Sequence, residues 1–301
     1  MSEPEEQPET EPQLNRNDSS RPDITPLVTV SLVSAASLGL SVFTAALFAV
    51  SIALIATSFG WVEVAVDSSF DDKLRAVSEI KSVSITAGVL GTSFTLFLIS
   101  LWGSLRPGSG FRDRIRLRAP ALSHLILVTI GMLAFTQALS GMIFLFSLDQ
   151  TGNLAEFNAV FQAWDTQKRL LMLPVLALCP GIAEEFFFRG YAFSTAEKSH
   201  GWVIAAGLSA VLFGLIHLDP IHSVAATFMG LYLAFAVKVT GSIWTTVLAH
   251  IVNNAAAVMF PTLTPDKILF QVVWVICGLA IAGLVMTTLW KSKKQEKPAH
   301  S

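Results

Sequence analysis

Seven residues in the C-terminal half of the chain have types and spacings that could carry out chemistry. They are Glu184, Glu185, Arg189, Phe213, His217, His250 and Asn254. Hydrolysis in a buried site requires a carboxylate that takes a proton from water and donors that hold the oxyanion formed. Because histidine and glutamate are also zinc ligands, the same groups could bind a metal ion.

The first segment, EEFFFR, carries two acids and one cation within an apolar run. Glu185 and Arg189 are four residues apart, so they share a helix face with the acid in the favourable N-terminal position. Glu184 lies about 100° further around the helix without a local cation, so we expect it to face the bundle interior or water. Pro174 and Pro180 can open the helix nearby.

Two further segments each bring a histidine. His217 shares a helix face with Phe213, and His250 shares one with Asn254, whereas Asn253 is expected on another face. Each residue alone has an ordinary structural explanation, such as a salt bridge or an interhelical hydrogen bond. Polar groups on three apolar helices together favour a shared functional site, because ionisable residues inside a membrane are costly.

The elements that must position these residues are membrane helices. The 301 residues are 52% hydrophobic and 14% charged, whereas soluble domains carry about 25% charge. This balance excludes a disordered chain, a disulfide-rich secreted module and a nucleic-acid binder with a basic surface. The composition therefore predicts an all-α, polytopic transmembrane helix bundle with about eight membrane helices.

Eight apolar runs approach the length that crosses a bilayer, about 20 residues. They are residues 27–60, 83–105, 121–147, 171–193, 202–218, 222–239, 242–260 and 269–290. A cytoplasmic N-terminus places 14 of the 20 Lys and Arg residues inside, which predicts N-in and C-in orientation in a bacterial inner membrane. The predicted organisation is a disordered cytoplasmic tail (1–25), a membrane domain (26–290) with the site-bearing core at about 170–260, and a basic tail (291–301).

Two loops between the apolar runs are predicted to form amphipathic helices. Residues 154–164 place four apolar side chains on one helical face, and residues 70–80 similarly place Phe70, Leu74 and Val77 on one face. Such helices are either ordinary loop helices or lids over a cavity.

The depths of two site residues in the membrane do not agree. When depth is counted from the ends of the apolar runs at 1.5 Å per residue, Glu184 and His217 lie about 13 Å apart, unless the fifth helix starts deeper.

The segments EEFFFR, FGLIH and HIVNN resemble, in this order, three motifs of the CAAX-protease and bacteriocin-processing family of intramembrane proteases. Those motifs are EExxxR, FxxxH and HxxxN on separate transmembrane helices. The resemblance covers about residues 170–260. It implies a glutamate- or metal-dependent endopeptidase that cuts a membrane-associated or lipidated protein or peptide through a Glu-activated water.

The resemblance also implies roles for individual residues. Glu184 would be the base that activates water, helped by His217. Glu185 and Arg189 would hold the helix and tune that carboxylate. Two members of the third motif would bind the oxyanion, namely His250 and Asn254.

A metal ion is compatible with the same residues. Zinc or another divalent metal could be held by Glu184, His217 and His250, with water in an open position, as in a metalloprotease. The metal-free acid–base scheme needs the same three side chains. The resemblance favours neither, and the choice stays open at this stage.

Two other classes of protein remain possible from the sequence. In a proton-coupled transporter, the acids and histidines would form a relay, although the two related halves typical of transporters are not evident. In a bacteriocin-immunity or peptide-binding membrane protein, the site would sequester a peptide without catalysis. No reading includes a nucleic-acid partner.

Overall fold

The structure is a computed structural model that describes residues 25–58, 70–105, 111–150, 152–261 and 267–295. Within these ranges the regular elements are helices, and no strand is present, which confirms the predicted all-α bundle. The α-helices are α1 (Thr25–Ser58), α2 (Phe70–Ser104), α3 (Phe111–Arg114), α4 (Leu122–Leu145), α5 (Gly152–Ala163), α6 (Thr166–Leu173), α7 (Cys179–Glu185), α8 (Ser194–Leu215), α9 (Pro220–Thr240), α10 (Ile243–Met259) and α11 (Ile268–Gln295). The predicted tails fall largely on residues 1–24 and 296–301, which lie outside the described residues.

Six helical stretches of the described residues are long and apolar enough to cross a membrane. They are Thr25–Phe48, Ser82–Ser104, Leu122–Leu145, Thr166–Leu215, Pro220–Thr240 and Ile268–Gln295. The count differs from eight for two reasons. The predicted fourth and fifth runs merge into one stretch of 50 residues, and the seventh run forms α10, a helix of 17 residues.

The outer surface of the bundle is apolar, as expected for a protein that contacts lipid. Leu32, Trp102 and Leu284 are 65%, 60% and 69% exposed, and many other large apolar side chains are also exposed. Soluble monomers rarely expose apolar patches of this extent. The chain is therefore an integral membrane protein.

The 50-residue stretch is a helical hairpin with local irregularities. Turns of π-helix occupy Pro174–Leu178 and Phe186–Phe193, the first beginning at a proline, where the helix was expected to open. Gly201 has φ 78° and ψ 165°, a backbone conformation that a residue without a Cβ adopts easily, and it breaks α8 into two limbs. The bend at Gly201 thus separates the first limb of the hairpin (residues 166–200) from the second (residues 202–215). The hydroxyl of Ser209 on the second limb donates to the carbonyl of Phe188 on the first at 2.8 Å, which joins the two limbs side by side.

The hairpin explains how Glu184 and His217 reach the same level. Glu184 lies 17 residues before Gly201, and His217 lies 16 residues after it. Because the limbs run in opposite directions, both side chains are about 25 Å from the shared bend at 1.5 Å per residue. The predicted depth difference was wrong because it was counted from assumed membrane faces.

Tight turns then bring α9 against α8 and α10 against α7. The carboxylate of Asp219 accepts from the backbone N–H of His222 at 2.8 Å and caps the N-terminus of α9. Gly241, with φ 67°, ends α9, and the hydroxyl of Ser242 caps α10 by accepting from the N–H of Trp244. These short connections keep the three motif-bearing segments adjacent.

Candidate active site

A chain of buried polar contacts joins the first and third motifs. Arg189 donates from Nη1 to Oε1 of Glu185 at 2.8 Å, and the same oxygen accepts from Nδ1 of His250 at 2.9 Å. The other ring nitrogen of His250, Nε2, lies 3.8 Å from Oε2 of Glu184. All four side chains are buried, with Glu185 and Arg189 fully enclosed and Glu184 only 8% exposed.

The burial of Arg189 depends on its surroundings in the hairpin and α9. Its guanidinium lies 4.4 Å from the centre of the Phe213 ring, and Nη2 donates to the carbonyl of Gly230 at 3.3 Å. A buried cation needs such partners, because its desolvation is otherwise strongly unfavourable. The ion pair between Arg189 and Glu185 is thus held beside an aromatic ring, which gives the cation a further favourable contact.

His217 has a fixed hydrogen-bonding role. Its Nδ1 lies 2.9 Å from the carbonyl oxygen of Phe213, which can only accept, so Nδ1 carries the proton. In the neutral ring, Nε2 is therefore a hydrogen-bond acceptor. The ring centre lies 4.3 Å from that of His222 and 5.3 Å from that of Phe213, and Phe213 in turn contacts the His250 ring at 5.7 Å.

The amides of the third motif form a second polar chain. The hydroxyl of Thr136, on α4, lies 2.7 Å from Oδ1 of Asn253 and donates to it. The Asn253 amide then donates to Oδ1 of Asn254 at 3.4 Å. Because this occupies the Asn254 oxygen, the NH₂ group of Asn254 is the part that can serve a ligand. The expectation that Asn253 lies on another face was wrong, since it is three residues from His250 and residues three apart also share a face.

These side chains line one cavity of about 590 Å³. Its polar wall consists of Glu184, His217, His222, His250, Asn253 and Asn254. Residues of α2 and α5 also line the cavity, including Ile85, Val89, Phe157 and Phe161. A volume of several hundred Å³ suits a small ligand or a short peptide segment. The structure thus gathers all three motifs around one space.

The predicted loop helix at 154–164 is present as α5 and forms part of this wall. Phe157 contacts the ring of His222 with centres 6.4 Å apart. Trp164, only 4% exposed, donates from its indole nitrogen to the hydroxyl of Ser82 at 3.2 Å, which fixes the end of this segment to α2. Residues 70–80 form the first turns of α2, and their side chains lie outside the described part of the chain. A lid role for α5 or for residues 70–80 stays a prediction.

The arrangement does not form a metal-ligand set. Across the described ranges, no group of three or more His, Cys, Asp or Glu side chains is placed so that it could hold a metal ion. Glu184, His217 and His250 share the cavity wall but are not gathered around one point.

Two residues of the site, Thr136 and His222, carried no motif in the sequence. Thr136 stands in a plain apolar run, and only its contact across to α10 links it to the site. His222 follows the helix cap formed by Asp219 and enters the cavity wall because α9 packs on α8. Spacing on one helix cannot reveal contacts of this kind between helices.

Comparisons with known proteins agree with the motifs. Residues 166–256 match the family model described as "Type II CAAX prenyl endopeptidase Rce1-like", a segment that contains all three motifs. A protein of Bacillus subtilis (strain 168) named "Putative membrane peptidase YdiL" is 33% identical over 89 residues. That match covers 30% of this chain and 36% of the relative's length. No solved structure matches the chain.

These matches confirm the family resemblance for the motif-bearing core. The fold is that of a polytopic membrane protein, and its motif-bearing core is similar to the type II CAAX prenyl endopeptidase family model. Residues 166–256 thus resemble the Rce1-like family.

Proposed function

We propose that this protein is an intramembrane endopeptidase that hydrolyses a peptide bond through a water molecule activated by Glu184. The observation that carries the proposal is the position of the Glu184 carboxylate, 3.8 Å from the imidazole of His250 in the wall of a 590 Å³ cavity. A base, an oriented histidine and an amide donor within one buried space are the components that acyl hydrolysis requires.

In the proposed first step, Glu184 takes a proton from a water molecule in the cavity. His217 supports this step, since its Nε2 is an acceptor and can hold the second proton of the same water in a hydrogen bond. The water oxygen then forms a bond to the carbonyl carbon of the peptide. The electron pair of the C=O bond moves to oxygen and gives a tetrahedral oxyanion.

The oxyanion is held by donors on α10. The Asn254 oxygen accepts from Asn253, which orients the amide so that its NH₂ group can donate to the oxyanion. In its imidazolium form, which carries a proton on each ring nitrogen, His250 donates Nδ1–H to Glu185 and would donate Nε2–H to the oxyanion. Glu185, paired with Arg189, thereby orients His250 without contacting the substrate.

In the final step, the tetrahedral intermediate collapses and the C–N bond breaks. The proton that Glu184 had accepted goes to the departing nitrogen, so that one residue acts first as base and then as acid. The products are a new carboxyl terminus and a new amino terminus. Glu184 returns to its ionised form, and another water molecule can enter.

The proposed substrate is a membrane-associated or lipidated protein or peptide. The cavity lining from α2 and α5 includes the apolar side chains of Ile85, Val89, Phe157 and Phe161, which suits a chain segment flanked by apolar groups. We propose the N-in, C-in orientation in a bacterial inner membrane on the basis of the Lys and Arg distribution.

A comparison of protein termini in cells tests this function. Membrane fractions from cells with the wild-type protein should contain new termini that are absent from cells with a Glu184→Gln variant at equal abundance. The exposed substitution Asp113→Asn serves as the matched control and should preserve the wild-type set. Identical termini in all strains would contradict the proposal and favour a peptide-sequestering or transport protein.

Asn254→Ala is expected to lower the cleavage rate by about 10²-fold, because removal of one oxyanion donor typically has this effect. The rate would be measured with purified protein in liposomes under saturating substrate. Asn158→Ala is the control, since Asn158 lines the same cavity on α5. If Asn158→Ala and Asn254→Ala lower the rate equally, the oxyanion role is wrong.

Thr136→Val should lower the cleavage rate about fivefold, because a single neutral hydrogen bond contributes about 1 kcal/mol. The change removes the hydroxyl that fixes Asn253, and the effect on Asn254 is therefore indirect. Thr136→Ser keeps the hydroxyl and should retain the wild-type rate at matched thermal stability. Equal rates for the Val and Ser variants would rule out this positioning role.

A further inference from the structure

His222 is a polar residue of the main cavity that the proposed mechanism does not use. It lies in the first turn of α9 and lines the cavity together with Glu184 and His217. The cap of α9 holds this residue through its backbone, since the Asp219 carboxylate accepts from the N–H of His222 at 2.8 Å. The cap therefore fixes the backbone of His222 without occupying its imidazole.

Aromatic neighbours position the imidazole ring of His222. Its centre lies 4.3 Å from that of His217 and 6.4 Å from that of Phe157, whose ring is nearly perpendicular to it (83°). Edge-to-face contacts of this kind favour one orientation of a ring. The ring is thus placed next to His217, the residue that is proposed to hold the attacking water.

The protein itself does not use the ring nitrogens of His222. No residue in the described ranges forms a hydrogen bond with either of them, whereas His217 and His250 each have a partner at Nδ1. A neutral imidazole offers one donor and one acceptor. Because His222 is half-buried in a cavity wall, these two groups are suited to a polar ligand in the cavity.

A peptide unit carries the complementary groups, an N–H and a C=O. When a substrate segment enters the cavity, these groups lose water, and each one that stays unpaired costs free energy. Consecutive Cα atoms of a chain are about 3.8 Å apart. The 4.3 Å between the ring centres of His217 and His222 is therefore close to the spacing between one peptide unit and the next.

We propose that His222 is a substrate-binding residue whose imidazole forms a hydrogen bond with a peptide unit adjacent to the one that is cut. The inference rests on the proposed function, because this position is counted from the water at Glu184 and His217. A peptide unit inside a helix cannot make the contact, since its N–H and C=O already bond within the helix. The substrate is thus a segment that is extended at the cut site.

The test uses the full-length protein in liposomes and a synthetic peptide that spans a cleavage site found in the comparison of termini. His222→Phe keeps an aromatic ring but removes both nitrogens. It should raise KM about tenfold at unchanged kcat, because binding that is equal in the ground and transition states acts on KM. His222→Gln restores a donor and an acceptor and should recover most of the affinity. His124→Phe makes the same exchange outside the cavity and should behave as the wild type does.

A change in the backbone of the peptide locates the contact. An ester in place of an amide removes the N–H and makes the carbonyl a weaker acceptor. At one of the two units that flank the cut bond, the ester should raise KM for the wild type but not for His222→Phe, in which the contact is already lost. The same ester three units away should affect both proteins equally.

The outcomes separate this inference from the proposed function. If the wild type does not cleave the peptide, the proposed function is wrong and the role of His222 is wrong with it. If the wild type cleaves the peptide and His222→Phe has the same KM, or loses kcat at the same KM, only the role of His222 is overturned. Additive effects of His222→Phe and of both flanking esters would also overturn it.

Discussion

Replacement of Glu184 by glutamine is expected to lower the cleavage rate by about 10³-fold or more while the protein still inserts and folds. Glutamine keeps the shape of the side chain but cannot accept a proton from water, and general-base catalysis typically contributes 10²–10⁴-fold. Glu184 forms no direct ion pair with Arg189, which is bonded to Glu185, so loss of its charge leaves the buried pair intact.

Two measurements distinguish this loss of chemistry from a loss of structure. The Glu184→Gln protein should keep its thermal unfolding temperature and should still bind substrate with a wild-type dissociation constant. Glu184→Asp keeps the carboxylate but withdraws it by about one bond, and should recover a small part of the rate. A Glu184→Gln protein that cleaves at the rate of the wild type would show that another group activates the water.

Arg189→Met is expected to destabilise the protein by about 3–5 kcal/mol and to abolish cleavage. Arg189 and Glu185 are both fully buried and 2.8 Å apart, and removal of one partner of such a pair leaves an uncompensated charge. The Gly230 carbonyl would also lose its donor from Arg189. The free energy of unfolding in detergent micelles measures the first effect, and the liposome assay measures the second.

A second variant separates the charge effect from lost packing. Glu185→Gln/Arg189→Met removes both charges, so it should be more stable than Arg189→Met alone. It should nevertheless remain slow in cleavage, because His250 loses the carboxylate that orients it. Arg112→Met, at an exposed position, should change stability by less than about 0.5 kcal/mol. If the double variant is no more stable than Arg189→Met, the destabilisation does not come from the unpaired carboxylate.

The all-α bundle and the set of motif residues could be predicted from the sequence because both follow local rules. Apolar runs indicate membrane helices, and the four-residue spacing of Glu185 and Arg189 predicts their contact, which the structure has at 2.8 Å. The expected interior position of Glu184 is also found, since it lines the main cavity. These features depend on a single helix and its period.

Features that depend on contacts between helices could not be predicted. Glu184 and His217 lie at the same level because both are counted from the bend at Gly201, after which the chain packs back against itself. That packing is a contact between distant parts of the chain, which local spacing does not indicate. The contact from Thr136 to Asn253 joins residues 117 positions apart. Likewise, His250 stands between Glu184 and Glu185 because α10 packs on the hairpin, an arrangement that no local spacing indicates.

The most direct test of the central claim is isotope incorporation during cleavage. Purified protein in liposomes would be given a membrane-peptide substrate, identified from the comparison of termini, in water enriched in ¹⁸O. We predict that the wild type releases a product with one ¹⁸O atom in its new carboxyl terminus and that Glu184→Gln releases almost none. Absence of labelled product from the wild type, or equal amounts from both proteins, would contradict the account.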